Sequence, residues 1–191
     1  MKNNTTRDHI LEVATRLFHL QGYHATGLNQ ILKESNTPKG SLYHYFPNGK
    51  EQLVIEVIDS SSKRLQDDIQ TQLNSVADPV TAVQNYLQLM MQRFAYLEDP
   101  NEFSMPPFSL IALESAFSNE HIRHACEENY RKVEQLYYDK FVESNVPTER
   151  ATDIATTICA AIEGAFMLAV TKKTNTPIAS LQMMIPSFFR S

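Results

Sequence analysis

The sequence predicts an all-α fold: a three-helix N-terminal unit with a larger helical bundle behind it, about nine helices in all. Three observations predict this. Apolar residues recur at spacings of three and four along nearly the whole chain. Alternating apolar–polar runs of the kind found in half-buried strands are missing. Helix-opening punctuation recurs at Thr37-Pro38, Asp78-Pro79 and Thr176-Pro177, each pairing a capping side chain with a residue whose missing N–H costs nothing in a first helical turn.

In chain order, the first helix starts at Thr5, with Asp8 three residues on as in a capping box. Its apolar stripe is Ile10, Leu11, Ala14, Leu17 and Phe18, and Gly22 is expected as a left-handed C-terminal cap. A second helix runs from about Thr26 to Ser35, with Leu28, Ile31 and Leu32 inward. The third opens at Thr37-Pro38, with Pro38 as its first helical residue, and ends near Phe46-Pro47. The fourth starts around Lys50 and continues towards Leu73, so Asn48-Gly49 is a helix–helix turn and not a hairpin. Asp78-Pro79 opens a helix to about Leu97, and a proline-interrupted loop spans Glu98 to Pro107. Helices over 108–117, 120–144, 148–171 and from Thr176 to about Phe189 complete the set.

Composition narrows the function classes. The chain has 191 residues, 42% hydrophobic and 20% charged, an ordinary globular balance for one large domain or two small ones. No run approaches ~18 consecutive apolar residues, so no membrane-spanning segment is expected, and the N-terminal helix is amphipathic, unlike a signal peptide. The two cysteines, Cys126 and Cys159, read as reduced, buried thiols of a cytoplasmic protein. Net charge is −5 but uneven: residues 1–50 carry +3 and the remainder −8, so the N-terminal end is the one suited to phosphate. There is no HExxH, no repeated Glu-x-x-His pair and no glycine-rich phosphate loop, so no enzyme, cofactor or metal site is expected. His121 and His124 are three apart, yet lack a third ligand at convincing spacing and read as solvent-exposed.

The informative stretch is residues 26–46, TGLNQILKESNTPKGSLYHYF. Two short helices meet at a tight Ser35-Asn36-Thr37 turn. At ~100° per residue, Leu42, Tyr45 and Phe46 fall on one side of the second helix, and Gly40 and His44 on the other. Lys39, Ser41 and Tyr43 flank that outward face, which has no acidic residue. Such a face suits a DNA major groove, and the pattern alone also fits a plain helical hairpin with a solvated face.

Residues 5–53 resemble the DNA-binding domain of the TetR family of repressors. The resemblance is carried by Ile10-Leu11, Ala14, Leu17-Phe18, Gly22-Tyr23, Thr26-Gly27, Ile31-Leu32, the run from Pro38 to Phe46, and Lys50-Glu51-Gln52-Leu53. It implies a helix-turn-helix DNA-binding domain over 1–54 and a ligand-binding and dimerisation domain over 55–191. It also implies a DNA-contacting set of Thr26, Gln30, Lys39, Gly40, Ser41, Tyr43, His44 and Lys50, with Thr26 and Lys50 on phosphates. The Phe46–Lys50 turn is one residue longer than the common spacing and is similar to a flavonoid- and drug-responsive branch of the family. A lipophilic effector pocket in the body is implied as well, with Phe94, Phe108, Ile111, Glu114, Tyr130, Tyr137 and Phe166 as its expected lining. Glu114 and Glu163 sit in mainly apolar helical surroundings, which fits either a group that orients a polar part of the ligand or a solvated or capping carboxylate. The Phe103–Phe108 segment resembles a lid. The small residues Ala151, Ala155, Ala160, Ala161, Gly164 and Ala165, with the last helix, resemble a homodimer interface built as a four-helix bundle. The partners implied are a palindromic double-stranded operator, a small effector and a second copy. An interaction module without a ligand, its body serving only for dimerisation, is the other reading of the same residues.

Overall fold

A computed structural model describes residues 6–94 and 108–190, the side chain of residue 108 excepted. Among them lie nine α-helices and no strand. These are α1 (Thr6–Ala25), α2 (Leu28–Glu34), α3 (Lys39–Tyr45), α4 (Gly49–Asn74), α5 (Pro79–Phe94), α6 (Phe108–Ser115), α7 (Glu120–Glu143), α8 (Thr148–Lys172) and α9 (Thr176–Phe189). The chain divides into two compact units: residues 6–63 with 108–129, and residues 64–94 with 130–190. The expected starting residue Thr5 and the lid segment lie outside the described residues.

The first unit is built on α1. Ile10, Val13, Ala14, Leu17 and Phe18 recur at spacings of three and four, and all are buried. Against them pack α2, α3 and α6, which add Ile31, Leu42, Phe46 and Ile111 to the core. Neither α2 nor α3 exceeds seven residues, too short to hold as an isolated helix, so this shared core keeps them folded. Asn36 takes the left-handed conformation in the α2–α3 turn (φ 48°), which asparagine tolerates better than most residues. Beside it, the Thr37 hydroxyl donates to the Ser35 carbonyl at 3.0 Å. Arg7 pairs with Glu56, and Arg16 with Glu34, bracing α1 against α4 and α2.

In the second unit α9 packs across α5 and α8. Gln84 and Gln182 tie α5 to α9 reciprocally, each side-chain amide donating to the other's backbone carbonyl at 3.0 and 2.9 Å. Arg93 grips the Asp68 carboxylate with two nitrogens. The core includes Tyr86, Leu87, Met90, Tyr137, Phe141, Ile154 and Ile158.

Three local expectations change. Gly22 breaks α1 with φ 80° and ψ 174°, a glycine-only conformation rather than a left-handed cap, and one further turn follows to Ala25. Pro38 is the residue flanking α3, not its first helical residue, and Asn175 flanks α9 with Thr176 already helical, so neither Thr37 nor Thr176 is the capping residue expected. Among the described residues α8 is long and apolar enough to cross a membrane by length and composition, although polar residues interrupt every apolar run in it.

Candidate nucleic-acid interface

The α3 helix buries one face and opens the other. Leu42 and Phe46 are fully buried, which fixes the helix's rotation about its axis. Lys39, Gly40, Tyr43 and His44 are then exposed, with Ser41 half-buried beside them. A Cβ at Gly40 would meet nothing within 4 Å, so the backbone there is open to close approach. The Lys39 ammonium lies 5.9 Å from the centre of the Tyr43 ring, and the His44 ring meets Tyr45 edge-on at 5.0 Å. No acidic residue occurs between Glu34 and Glu51. Glu34 itself is bonded to Gln30 and Arg16, which hold its carboxyl below the usual range. A cleft of about 210 Å³ runs between α2 and α3, lined by Gly27, Leu28, Asn29, Leu32, Lys39, Leu42 and Tyr43. The first amides of α2 need partners that the helix itself does not supply, and they lie at this cleft.

Thr26 departs from its expected role. Its side chain is fully buried, its hydroxyl donates to the Gly22 carbonyl at 2.7 Å, and it accepts from the Gln21 amide at 3.2 Å. A hydroxyl held this way is turned from solvent and fixes the α1–α2 turn. Gln30 is half-buried between Gln21, which donates to it at 2.7 Å, and Glu34, to which it donates at 2.9 Å. Lys50 lies in the first turn of α4 with its ammonium 4.2 Å from the centre of the Tyr23 ring. Burial lowers its pKa, and the nearby Glu114 carboxylate opposes that shift.

The expected effector residues fall in both units. Ile111 and Glu114 belong to the first unit, and Phe94, Tyr130, Tyr137 and Phe166 to the second. Glu114 is a correction: its carboxylate accepts from the Tyr23 amide at 2.6 Å, so it is committed to the end of α1 rather than to a ligand. Ile111 is wholly buried in the core of the first unit. Tyr137 is fully buried and stacked on Phe141 with centroids 6.1 Å apart, and its hydroxyl has no hydrogen-bond partner among the described residues. Phe94, Tyr130 and Phe166 are half-buried, as is Glu163. The side chain of Phe108 lies outside the description.

The histidines face carboxylates. His121 bonds Glu51 at 2.8 Å, and His124 lies 3.0 Å from Glu120 and 3.2 Å from Glu127. Both thiols are buried and unpaired, and burial pushes Cys126 up to about 11 and Cys159 up to about 12. The small-residue run of α8 splits. Ala151, Ala155 and Ala165 are buried in the chain's own core, Ala161 is half-buried, and Ala160 and Gly164 face outward. Near them Met167 and Leu168 are about half exposed, and on α9 Met183 is 73% and Met184 56% exposed.

Sequence reasoning missed two features. One is the Gln21–Thr26–Gln30 hydrogen-bond network. The other is the partner of Glu114: a capping carboxylate is one reading of it, but the sequence does not name the end of α1. The first has a local signal in the close spacing of polar residues around Gly22, and the second joins positions 91 residues apart and leaves none.

Comparison with known proteins agrees with this geometry. Residues 10–57 match the family model described as bacterial regulatory proteins, tetR family. Residues 79–183 match that of the LmrA/YxaF-like transcriptional regulator C-terminal domain. The chain is 37% identical over 190 residues to the HTH-type transcriptional regulator LmrA of Bacillus subtilis, covering 100% of both. It is 40% identical over 185 residues to YxaF of the same organism, an uncharacterized HTH-type transcriptional regulator, covering 97% of this chain and 95% of that one. Its fold matches the reduced form of Escherichia coli NemR with a TM-score of 0.81 at 20% identity, covering 96% of this chain and 97% of that one. A TetR regulator from Legionella pneumophila matches with a TM-score of 0.83 at 18% identity over the whole of both chains. An α3 face without acids, in a chain matched over both parts, therefore has a defined place: the protein belongs to the TetR family as a DNA-binding helix-turn-helix transcriptional regulator, not an enzyme, with an LmrA/YxaF-like C-terminal domain.

Proposed function

We propose that this regulator is a repressor: a homodimer that holds a palindromic operator through α3 and releases it when a small lipophilic, flavonoid- or drug-like effector binds the body. The outward face of α3 carries the reading. Lys39, Gly40, Ser41, Tyr43 and His44 offer a cation, an open backbone, two hydroxyls and an imidazole, with no carboxylate to repel phosphate. The amides at the start of α2 and the positive charge of Lys50 add to the phosphate-facing side. Residues 1–54 act as the DNA-binding domain and residues 55–191 as the sensing and dimerising one. Such a protein works where the DNA is, in the cytoplasm, and needs no metal or cofactor.

A second copy is required on two grounds. One α3 reads few base pairs, whereas two set ~34–36 Å apart read a palindrome. The exposed Met183 and Met184 of α9, and the outward Ala160, Gly164 and Leu168 of the α8 it packs on, supply apolar surface suited to cover by a second copy. The aromatic interior of the second unit around Tyr137 supports an effector site, since a buried, unpartnered hydroxyl is a ready donor to a ligand oxygen. For release, the effector must favour the off-state by about 5.5 kcal/mol to turn a 1:99 population into 99:1.

Titration of full-length protein against a duplex selected from a random-sequence pool tests the first half. Affinity should fall steeply with salt, and Tyr43→Ala should weaken binding by about ten-fold or more. Adding a flavonoid and drug panel to that complex tests the second. At least one compound should dissociate it and raise the melting temperature of the free protein, and a panel with no effect on either counts against effector release.

A further inference from the structure

Glu114 sits in the last turn of α6, far in sequence from the helix it serves. Its Oε2 accepts from the Tyr23 amide at 2.6 Å and from the His24 amide at 3.4 Å. The His24 ring Nε2–H donates to the Glu114 backbone carbonyl at 3.1 Å. These are the amides set free where Gly22 breaks α1, so a distant helix supplies the acceptor that the break removes. The fit is close: a Cβ at Gly22 would stand 2.5 Å from Oε1 and 3.0 Å from Oε2. A side chain there would push the carboxylate away, and the positive φ at Gly22 demands glycine independently. The Lys50 ammonium lies on the neighbouring Tyr23 ring and is attracted to the same carboxylate.

The capped segment leads directly to the DNA-facing cleft. The Gly22 carbonyl receives the Thr26 hydroxyl, Gln21 bridges Thr26 to Gln30, and Gly27 is the capping residue of α2. Gly27, Leu28 and Asn29 line the cleft opposite Lys39 and Tyr43 of α3.

We propose that Glu114 is a positioning residue for DNA binding: by capping the broken end of α1 it sets the α1–α2 turn and so places the start of α2 beside α3. The inference rests on the DNA interface described above. It has an unusual sign. Glu114 is a negative charge in the same compact unit as α2 and α3, so removing it should tighten binding on electrostatic grounds alone. Positioning requires the reverse.

The experiment uses full-length protein, the duplex selected by the wild type from a random-sequence pool, and the variants Glu114→Ala and Glu114→Gln. Wild-type binding establishes the interface first, so its absence would sink that reading and not this one specifically. Given wild-type binding, Glu114→Ala should bind about ten-fold more weakly, with the salt slope unchanged because no phosphate contact is lost. Glu114→Gln keeps one acceptor oxygen and should fall between. In the free protein, the Tyr23 and His24 amides should exchange faster with deuterium in Glu114→Ala than in the wild type. If Glu114→Ala does not fold, Glu114→Gln decides: weaker binding supports the role, and equal or tighter binding overturns it. For a folded Glu114→Ala, binding as tight as or tighter than the wild type, a changed salt slope, or unchanged exchange at Tyr23 and His24 would each overturn it.

Discussion

Gly40 is the second residue of α3 and costs the helix stability, because glycine loses more backbone freedom on ordering than alanine does. A Cβ there meets no neighbour, so Gly40→Ala should leave the fold intact and stabilise it by up to about 1 kcal/mol. Its affinity for DNA should fall, since the methyl stands where the groove approaches. Opposite signs in melting temperature and binding titration are the expected pattern, and equal DNA affinity would remove Gly40 from the contact surface. His19 behaves differently. Its Nδ1–H donates to the Thr15 carbonyl at 3.0 Å, and burial lowers its pKa to about 4 from 6.5. Between those values the unfolded chain holds a proton that the folded one does not, so stability is complete above pH 6.5 and falls as pH drops towards 4. His19→Asn keeps a donor without the titration. Urea midpoints at pH 7 and pH 4.5 should therefore differ more in the wild type than in the variant.

Most helices were legible because their punctuation is local. Asp78 shows this best: its carboxylate accepts from the Thr81 amide at 2.8 Å and the Thr81 hydroxyl at 2.6 Å, opening α5 as the Asp78-Pro79 pair predicts. Those bonds hold its carboxyl below the ordinary range, so the cap persists above the unfolded pKa and is lost as pH falls through the folded one. Asp78→Ala should cost about 1 kcal/mol, read as a lower melting temperature at pH 7 that converges on the wild type in acid. The rotation of α3 was equally legible, because Leu42 and Phe46 have no other place than the core. The conformation of Gly22 was not. A helix-ending glycine ordinarily takes the left-handed conformation, and the extended ψ here is compatible with a carboxylate arriving from α6. The burial of the Thr26 hydroxyl was not legible for a similar reason, since it depends on its bonds to Gln21 and Gly22.

At the scale of the whole molecule, the split of the α8 small-residue run matters most. Helical periodicity groups small residues without saying which face meets a partner; burial in the chain's own core removes Ala151, Ala155 and Ala165 from that surface. What remains outward includes Ala160, Gly164 and Leu168, with Ser180, Met183, Met184 and Ser187 forming a stripe along α9 at helical spacing. Placing a charge there, as in Met183→Glu, should shift the sedimenting species from a dimer towards the 21.8 kDa monomer while leaving helicity unchanged. An effector pocket was the least legible expectation, because an aromatic at helical spacing looks the same whether it fills a core or lines a pocket. Hydroxyl-radical footprinting of the full-length protein on its selected duplex tests the central claim most directly. Two protected half-sites related by a dyad and centred about 34–36 Å apart are expected, both lost on Tyr43→Ala with His44→Ala. A single undivided footprint, or protection that survives those two substitutions, would contradict a dimer reading DNA through α3.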